Sequence, residues 1–313
     1  MAPDRFHEPV LASEIVELFS GLPAGVVVDA TLGGAGHAVA ILERAPQLRV
    51  LGIDRDPDAR AEATTRLAPF GERALIADAT FADIADVLRR ESAFLIGDDV
   101  VGVLMDLGVS SHQLDDAGRG FSFRVDAPLD MRMDPTTGES AADYLSRVDV
   151  HALARLLRHH GEGRFAGGIA KSIVDRQPRT TLELSEAVER AVPMAARRRG
   201  HVATRVFQAL RVEVNAEEDQ LDLGLRAALD ALSVGGLLAV ISYHSGEDRV
   251  VKALLADQQS GGCTCPPDLG CVCGAVARVQ VFKNSAQLAS VAEIARNPRS
   301  RSARLRIARK VAP

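Results

Sequence analysis

Four short apolar runs, each ending in an aspartate, constrain the fold of this chain more than any other feature. They end at Asp29, Asp54, Asp78 and Asp106, and helical patterns separate them. Strands that alternate with helices in this way are typical of a parallel sheet with helices on its faces. Because parallel strands end at the same edge of a sheet, we expect the four carboxylates to lie along that edge, where open α/β folds bind ligands.

The first of these runs leads directly into a glycine-rich turn. Residues 26–36 read VVVDATLGGAG, and such glycines let the backbone turn tightly and approach a ligand without a Cβ in the way. The next helix would then aim its first N–H groups at that ligand. Asp54 lies 21 residues after Gly33, at the spacing where a carboxylate holds a nucleotide ribose.

Composition and charge are those of a globular protein. The chain has 313 residues, of which 47% are hydrophobic and 25% charged, with a net charge of −5. No apolar stretch approaches the ~18 residues that span a bilayer, and the N-terminus lacks the features of a secretion signal. We therefore expect a cytoplasmic location and no membrane partner.

The α/β pattern is interrupted after the fourth strand. A polar stretch at 108–136 predicts a long loop, whose phenylalanines and methionines favour order, and residues 140–214 show helical periodicity. A strand at 236–242 and two strand-like runs, at 278–282 and 302–308, follow. 

The economical interpretation is one α/β domain with an inserted all-α domain. Residues 1–110 and 213–313 would form the α/β domain, which binds the cofactor. Residues 111–212 would supply the loop and the helical insertion, which we expect to recognise the partner.

Two ligand classes suit the glycine turn, nicotinamide dinucleotides and S-adenosylmethionine. Glycines at 33, 34 and 36 do not form the G-x-G-x-x-G pattern of dinucleotide sites. Asp29 favours a cationic ligand, because a pyrophosphate prefers helix N–H groups without a nearby carboxylate. S-adenosylmethionine carries an ammonium, a sulfonium and a ribose diol, so charge favours this methyl donor.

Long motifs follow one another along the chain: DATLGGAGH at 29–37, GIDRDP at 52–57, MDLGVSSHQLDD at 105–116, RGFSF at 119–123, PLDMRMD at 128–134, ATRVFQALR at 203–211, ISYHS at 241–245 and NPRSRSAR at 297–304. In this order they resemble the MraW/RsmH methyltransferases. The resemblance implies a Rossmann-like S-adenosylmethionine-dependent methyltransferase sheet with an inserted all-α domain. It also implies methylation of the exocyclic N4 of a cytidine in the decoding region of 16S rRNA, within the small ribosomal subunit or its precursor.

The same resemblance implies a set of cofactor contacts. Asp54 is expected to hold the ribose, Phe81 to cover the adenine, and Asp106 to lie close to the methyl group. For Phe81 the alternative is a core residue of a helix. The full set is Gly34, Ala35, Gly36, His37, Asp54, Phe81, Asp106 and Gln113.

Asp106 is also the predicted catalytic residue, since an acceptor at the cytosine amine would make it a better nucleophile. Tyr243 and His244 follow the fifth strand and are expected to pack against the base, with His244 as a second choice for a general base. The alternative is that Asp106 only anchors the cofactor. The residues after Asp106 read LGVS, not the Pro-Pro-aromatic run of amino-methyltransferases that act on DNA bases, so those amine contacts do not carry over unchanged.

Two basic clusters bear on how the chain would bind its partner, which the resemblance implies is 16S rRNA and which we expect residues 111–212 to recognise. Residues 187–211 contain six arginines, among them Arg197, Arg198 and Arg199, and residues 297–310 contain five arginines and a lysine. Each is either a solvated face or a set of phosphate contacts, and two clusters on an acidic chain favour contacts with RNA.

The four cysteines lie together, as Cys263, Cys265, Cys271 and Cys273. They could wrap a tetrahedral zinc or form a reduced loop, and we expect no metal in the active site. Two competing functions stay open at this point, an NAD-dependent oxidoreductase and a non-catalytic ribosome-assembly factor.

Overall fold

The computed structural model describes residues 9–194, 202–266, 272–282 and 286–313. The chain divides into two compact units. A sheet unit comprises Met1–Gly108 and Asp219–Pro313, and a helical unit comprises Val109–Glu218. Helices and strands are numbered here along the whole chain.

Within the described residues, the sheet unit has eight strands in the order β3-β2-β1-β4-β5-β8-β6, with β7 paired to β8. Strands β1 to β5 are parallel, whereas β8 runs antiparallel to β5, β6 and β7. The strands are β1 Gly25–Asp29, β2 Leu48–Asp54, β3 Ala74–Asp78, β4 Val100–Asp106, β5 Leu237–Ser242, β6 Val279–Val281, β7 Gln287–Leu288 and β8 Arg304–Lys310. The predicted α/β class is confirmed, and only the two-residue β7 is too short for a sequence pattern to reveal.

Helices cover both faces of this sheet. They are α1 Ala12–Ser20, α2 Gly36–Arg44, α3 Pro57–Leu67, α4 Ile84–Arg90, α11 Glu217–Ala231, α12 Ser245–Ser260 and α13 Val291–Arg296. Alternate residues of a strand point to opposite faces, so Val26 and Val28 join one core and Val27 the other. Burial on both faces explains why the strands read as continuous apolar runs.

The helical unit has its own core. Its helices are α5 Ser111–Asp115, α6 Ala141–Arg147, α7 Val150–His159, α8 Ala166–Arg176, α9 Thr181–Arg190 and α10 Val202–Val214. Ser140 and Thr180 begin α6 and α9 with capping boxes. In each box the side chain of the first residue accepts the backbone N–H of the residue three positions on, and the carboxylate of that later residue accepts the backbone N–H of the first. The buried side chains of α6 to α10 form one cluster.

The long loop before α6 is ordered, as its apolar residues predict. Phe121 and Met131 are buried in the core of the helical unit. The guanidinium of Arg119 donates to the carbonyl of Met133 at 2.7 Å, and the Asn215 amide donates to the carbonyl of Met131 at 2.7 Å. These bonds satisfy backbone groups that a loop would otherwise leave buried without partners.

Among the described residues, no helix is both long enough and apolar enough to span a membrane. 

Candidate active site

The carboxyl ends of β1, β2 and β4 bring three aspartates to one edge of the sheet. Asp29 ends β1 and pairs in register with Leu104, two residues before Asp106 ends the neighbouring strand β4. The backbone N–H of Asp106 donates to the Thr31 hydroxyl at 2.6 Å, which ties the end of β4 to the turn after β1. The edge predicted from the four runs is therefore present in the sheet.

Asp54 fixes the glycine turn. Its Oδ2 accepts the N–H of Gly33 at 2.7 Å, and its Oδ1 accepts the N–H of Asp56 at 2.8 Å. Gly33 has a φ of +50°, in the left-handed region where a side chain is strained. Burial raises the pKa of Asp54, and the two N–H donors oppose that rise.

The start of α2 presents backbone N–H groups at the same edge. Its N-cap, Ala35, is buried with a φ of +61°, and its methyl group offers no capping oxygen to the first turn. A Cβ placed on Gly36 would lie 3.3 Å from Pro9 Cβ. The absence of a side chain at Gly36 thus serves packing against Pro9, in addition to any ligand.

Asp106 is held between two side chains. The Tyr243 hydroxyl donates to Asp106 Oδ1 at 2.8 Å, and His37 Nε2 lies 3.5 Å from Asp106 Oδ2. Burial, and then the Asp106 carboxylate, raise the pKa of Tyr243 well above its usual value. The phenol therefore stays protonated and remains a donor to the carboxylate.

His37 has unused hydrogen-bonding capacity. It is 5% exposed, and neither ring nitrogen has a hydrogen-bond partner within the described part of the chain. A buried polar group without a partner costs about 1–3 kcal/mol. A ligand atom at this edge would remove that cost.

Asp29 makes the edge sensitive to charge. Its carboxyl is 1% exposed, and burial raises its pKa to about 7, against the opposing effect of His37. Asp54 and Asp106 contribute to the rise by repulsion. Three carboxylates so close together favour a cationic ligand, which relieves both the repulsion and the desolvation.

His244 is engaged in a helix cap. Its Nδ1 accepts the N–H groups of Gly246 and Glu247 at 3.2 and 3.3 Å, at the start of α12. Its Nε2 lies 2.8 Å from the Glu247 carboxylate. An Nδ1 that accepts two N–H groups carries no proton, so the cap occupies Nδ1. Nε2 has no hydrogen-bond partner among the described residues, and the role of His244 as a general base stays a prediction.

The remaining predicted cofactor residues have other neighbours. Phe81, just after β3, packs against α11, where a Cβ on Gly224 would lie 2.5 Å from the Phe81 ring. This contact matches the alternative of a core residue, and the adenine contact stays a prediction. Gln113 belongs to the helical unit, where its Oε1 accepts the N–H of Ser110 at 3.0 Å.

The C-terminal basic cluster is largely engaged within the fold. Arg304 and Arg306 of β8 donate to the Asp248 carboxylate, and Arg306 is 9% exposed. Lys310 donates to the carbonyl of Asp230 at 3.2 Å. These contacts do not support the predicted phosphate contacts, because the groups are used to join β8 to α11 and α12.

The cluster in the helical unit is divided. Arg205 and Arg211 form ion pairs with Glu162 and Glu217, whereas Arg190 lines a cleft together with Lys171 and Arg176. Residues Arg197, Arg198 and Arg199 lie outside the described residues. The prediction of RNA contacts therefore depends on the cleft and on that undescribed run.

With the carboxylate edge, the glycine turn and the Asp106–Tyr243 pair in place, comparison with known proteins identifies the family. The profile of the MraW methylase family matches residues 4–311. The chain belongs to the MraW methylase family. It is 47% identical over 312 residues to ribosomal RNA small subunit methyltransferase H of Geobacter sulfurreducens, covering 97% of this chain and 99% of that protein.

A second relative of high identity agrees with this membership. The chain is 48% identical over 316 residues to ribosomal RNA small subunit methyltransferase H of Beutenbergia cavernae, covering 97% of this chain and 92% of that protein. Among solved structures, an rRNA methylase from Streptococcus thermophilus is 12% identical, with a TM-score of 0.40, over 96% of this chain and 94% of that one.

The edge fits the methyl donor S-adenosylmethionine. The carboxyls of Asp29, Asp54 and Asp106 suit its cationic groups and its ribose hydroxyls, and the unused ring nitrogens of His37 suit a polar ligand atom. The N–H groups at the start of α2 suit its carboxylate. The residues of this MraW methylase thus match the donor in both charge and hydrogen-bonding type.

Proposed function

We propose that this methylase transfers a methyl group from S-adenosylmethionine to the exocyclic N4 of a cytidine in the decoding region of 16S rRNA. Family membership and the names of the relatives support ribosomal RNA of the small subunit as the substrate. The observation that carries the proposal is the Asp106 carboxylate at the end of β4, held by Tyr243 at 2.8 Å. The sulfonium of S-adenosylmethionine supplies an electrophilic methyl group.

The chemistry of the cytosine amine explains why a carboxylate is needed. Its nitrogen lone pair is delocalised into the ring, so the amine is a poor nucleophile. An N–H of the amine that donates to Asp106 favours a nitrogen whose lone pair is no longer delocalised into the ring, and it stabilises the positive charge that develops on nitrogen. As the new N–C bond forms, the bond between the sulfonium and the methyl group breaks and S-adenosylhomocysteine leaves. The methylated nitrogen then loses a proton to water.

Tyr243 positions the catalytic carboxylate through a hydrogen bond. The Tyr243 hydroxyl uses one lone pair of Oδ1, and the His37 ring lies beside Oδ2. Each carboxylate oxygen can accept further hydrogen bonds, so the amine has an acceptor whose orientation is already set. A preorganised acceptor needs no rearrangement when charge develops.

We also propose that the helical unit contacts the RNA backbone. Its cleft is lined by Lys171, Arg176 and Arg190 together with Asp175, which pairs with Lys171 at 2.8 Å. The guanidinium groups of Arg176 and Arg190 supply cations that phosphates recognise. Folded RNA is recognised largely through shape and backbone, and a reacting base leaves its stack to reach an active site. The arginine run at 197–199 would add to this contact.

The test of Asp106 is a single-turnover methylation assay. Small ribosomal subunits from a strain that lacks this protein serve as substrate, with S-adenosylmethionine at a saturating concentration. Asp106→Asn keeps the shape and one acceptor oxygen but removes the charge. We expect the rate to fall about 10²-fold or more, as when a preorganised electrostatic contact is lost, while cofactor affinity changes far less.

Asp98→Asn is the matched control. Asp98 lies two residues before β4 begins, at the opposite end of the strand from Asp106, and pairs with Arg49 at 2.8 Å. Its rate should equal that of the wild type. An Asp106→Asn variant that binds the cofactor weakly yet transfers methyl at the wild-type rate would show that Asp106 only anchors the cofactor.

A further inference from the structure

The connection between α12 and β6 is long and has little apolar packing of its own. It spans residues 261–278, and its described part contains no helix or strand. Val272 and Val276 within it are 92% and 65% exposed. Long connections without secondary structure are uncommon in compact units, because ordering them costs chain entropy that burial normally offsets. Some other interaction is needed to hold this segment.

Three cysteine side chains of this connection converge. The sulfur atoms of Cys263, Cys265 and Cys273 all lie within 4.8 Å of one another, and those of Cys263 and Cys273 are 3.6 Å apart. Two thiolates that bind one tetrahedral zinc at about 2.3 Å are about 3.8 Å apart, whereas disulfide sulfurs are about 2.05 Å apart. The 3.6 Å spacing of the Cys263 and Cys273 sulfurs is therefore close to that of two ligands of a shared metal ion and far from that of a disulfide.

The backbone near these sulfurs also suits a metal site. The N–H groups of Val272 and Cys273 donate to the sulfur of Cys265. Thiolates are the form of cysteine that binds metals, and N–H donors around the ligand atoms orient and stabilise them. Cys263 and Cys265 are partly buried and Cys273 is exposed, so an ion can reach the sulfurs from solvent.

We propose that Cys263, Cys265 and Cys273 bind a zinc ion that fixes the connection between α12 and β6. Zinc prefers sulfur and nitrogen ligands in tetrahedral geometry and undergoes no redox change. The ion joins Cys263 to a residue ten positions later, so its role is structural. Cys271, the other cysteine of the chain, lies outside the described residues.

The test measures the metal content of the full-length chain, purified under reducing conditions without a chelator. We expect about one zinc ion per chain by elemental mass spectrometry. Cys263→Ser, Cys265→Ser and Cys273→Ser should each lower the zinc content about tenfold or more, because a hydroxyl is a poor zinc ligand.

The matched control comes from the helical unit. His159, His160 and Glu218 form the other cluster of metal-binding side chains among the described residues. His159→Ala should leave the zinc content unchanged. If zinc is lost in His159→Ala and kept in the cysteine variants, the proposal is wrong.

A second measurement does not depend on the folding of any variant. Chelation of zinc from the wild-type protein should speed proteolytic cleavage within residues 261–278, and added zinc should restore protection. The proposal is wrong if the chain takes up no zinc or carries iron instead. It is also wrong if the rate of cleavage is the same with and without the chelator, or if peptides of the unreduced protein contain a Cys263–Cys273 disulfide.

Discussion

The buried Asp29 carboxyl makes the stability of the protein depend on pH in a way that one substitution isolates. Burial raises its pKa from 3.8 to about 7, so between about pH 4 and 7 the folded protein holds a proton that the unfolded chain releases. The free energy of unfolding therefore falls as pH rises through this window, and the loss is complete above the folded pKa.

The magnitude follows from the size of the pKa change. Each pKa unit corresponds to about 1.4 kcal/mol, so the rise from 3.8 to about 7 corresponds to about 4 kcal/mol in the free energy of unfolding. Asp29→Asn keeps the shape but does not titrate. Relative to wild type, the variant should gain stability as pH rises from about 5 to about 8, by about 3 kcal/mol, because about two of the roughly three pH units over which the folded protein holds the extra proton lie above pH 5.

Urea unfolding without ligand, at several pH values between about 5 and 8, measures this difference. Asp78→Asn is the control, because Asp78 is exposed at the end of β3, two strands from β1 in the sheet, and its difference from wild type should stay constant. An Asp29→Asn difference that is equally independent of pH would refute the reasoning. Calorimetry adds a second check, since S-adenosylmethionine should bind the wild type more tightly as Asp29 ionises, and this trend should vanish in the variant.

Two further predictions concern catalysis and RNA. Tyr243→Phe removes a hydrogen bond to a charged acceptor, worth about 1.5–3 kcal/mol, so the single-turnover rate should fall about 10- to 100-fold. Tyr144→Phe in the helical unit should leave this rate unchanged. Equal rates in both variants would contradict the positioning role of Tyr243. Replacing Arg176 and Arg190 with alanine should weaken RNA binding and reduce by about 2 the slope of log binding constant against log salt concentration. Arg226→Ala, which breaks an exposed pair with Asp222, should change neither. An unchanged slope in the double variant would show that the cleft does not contact phosphates.

Sequence patterns predicted the sheet and its acidic edge because both depend on local order. A buried parallel strand is a short apolar run, and its end is marked by the aspartate that closes the run, here Asp29, Asp54 or Asp106. The topology rule for parallel strands then places these ends together without further information.

The contacts around those aspartates needed the tertiary structure. Tyr243 reaches Asp106 because Asp106 and Ile241 are paired in register between β4 and β5, and no spacing in the sequence encodes that register across the helical insertion. The arginines of β8 read as a basic patch, yet antiparallel pairing with β5 carries Arg306 to the buried Asp248. The role of His244 as the N-cap of α12 could not be predicted from the sequence either, since histidine is not among the usual capping residues.

The proposed methylation of cytidine N4 is tested most directly by the chemical identity of the methylated nucleoside. Small subunits from a strain that lacks the protein are incubated with the purified chain and S-adenosylmethionine, and the 16S rRNA is then digested and analysed by mass spectrometry against nucleoside standards. We expect N4-methylcytidine within the decoding region. A methyl group on C5 of the base, or on a ribose 2′-oxygen, would contradict it, because neither position presents the amine that Asp106 is proposed to activate.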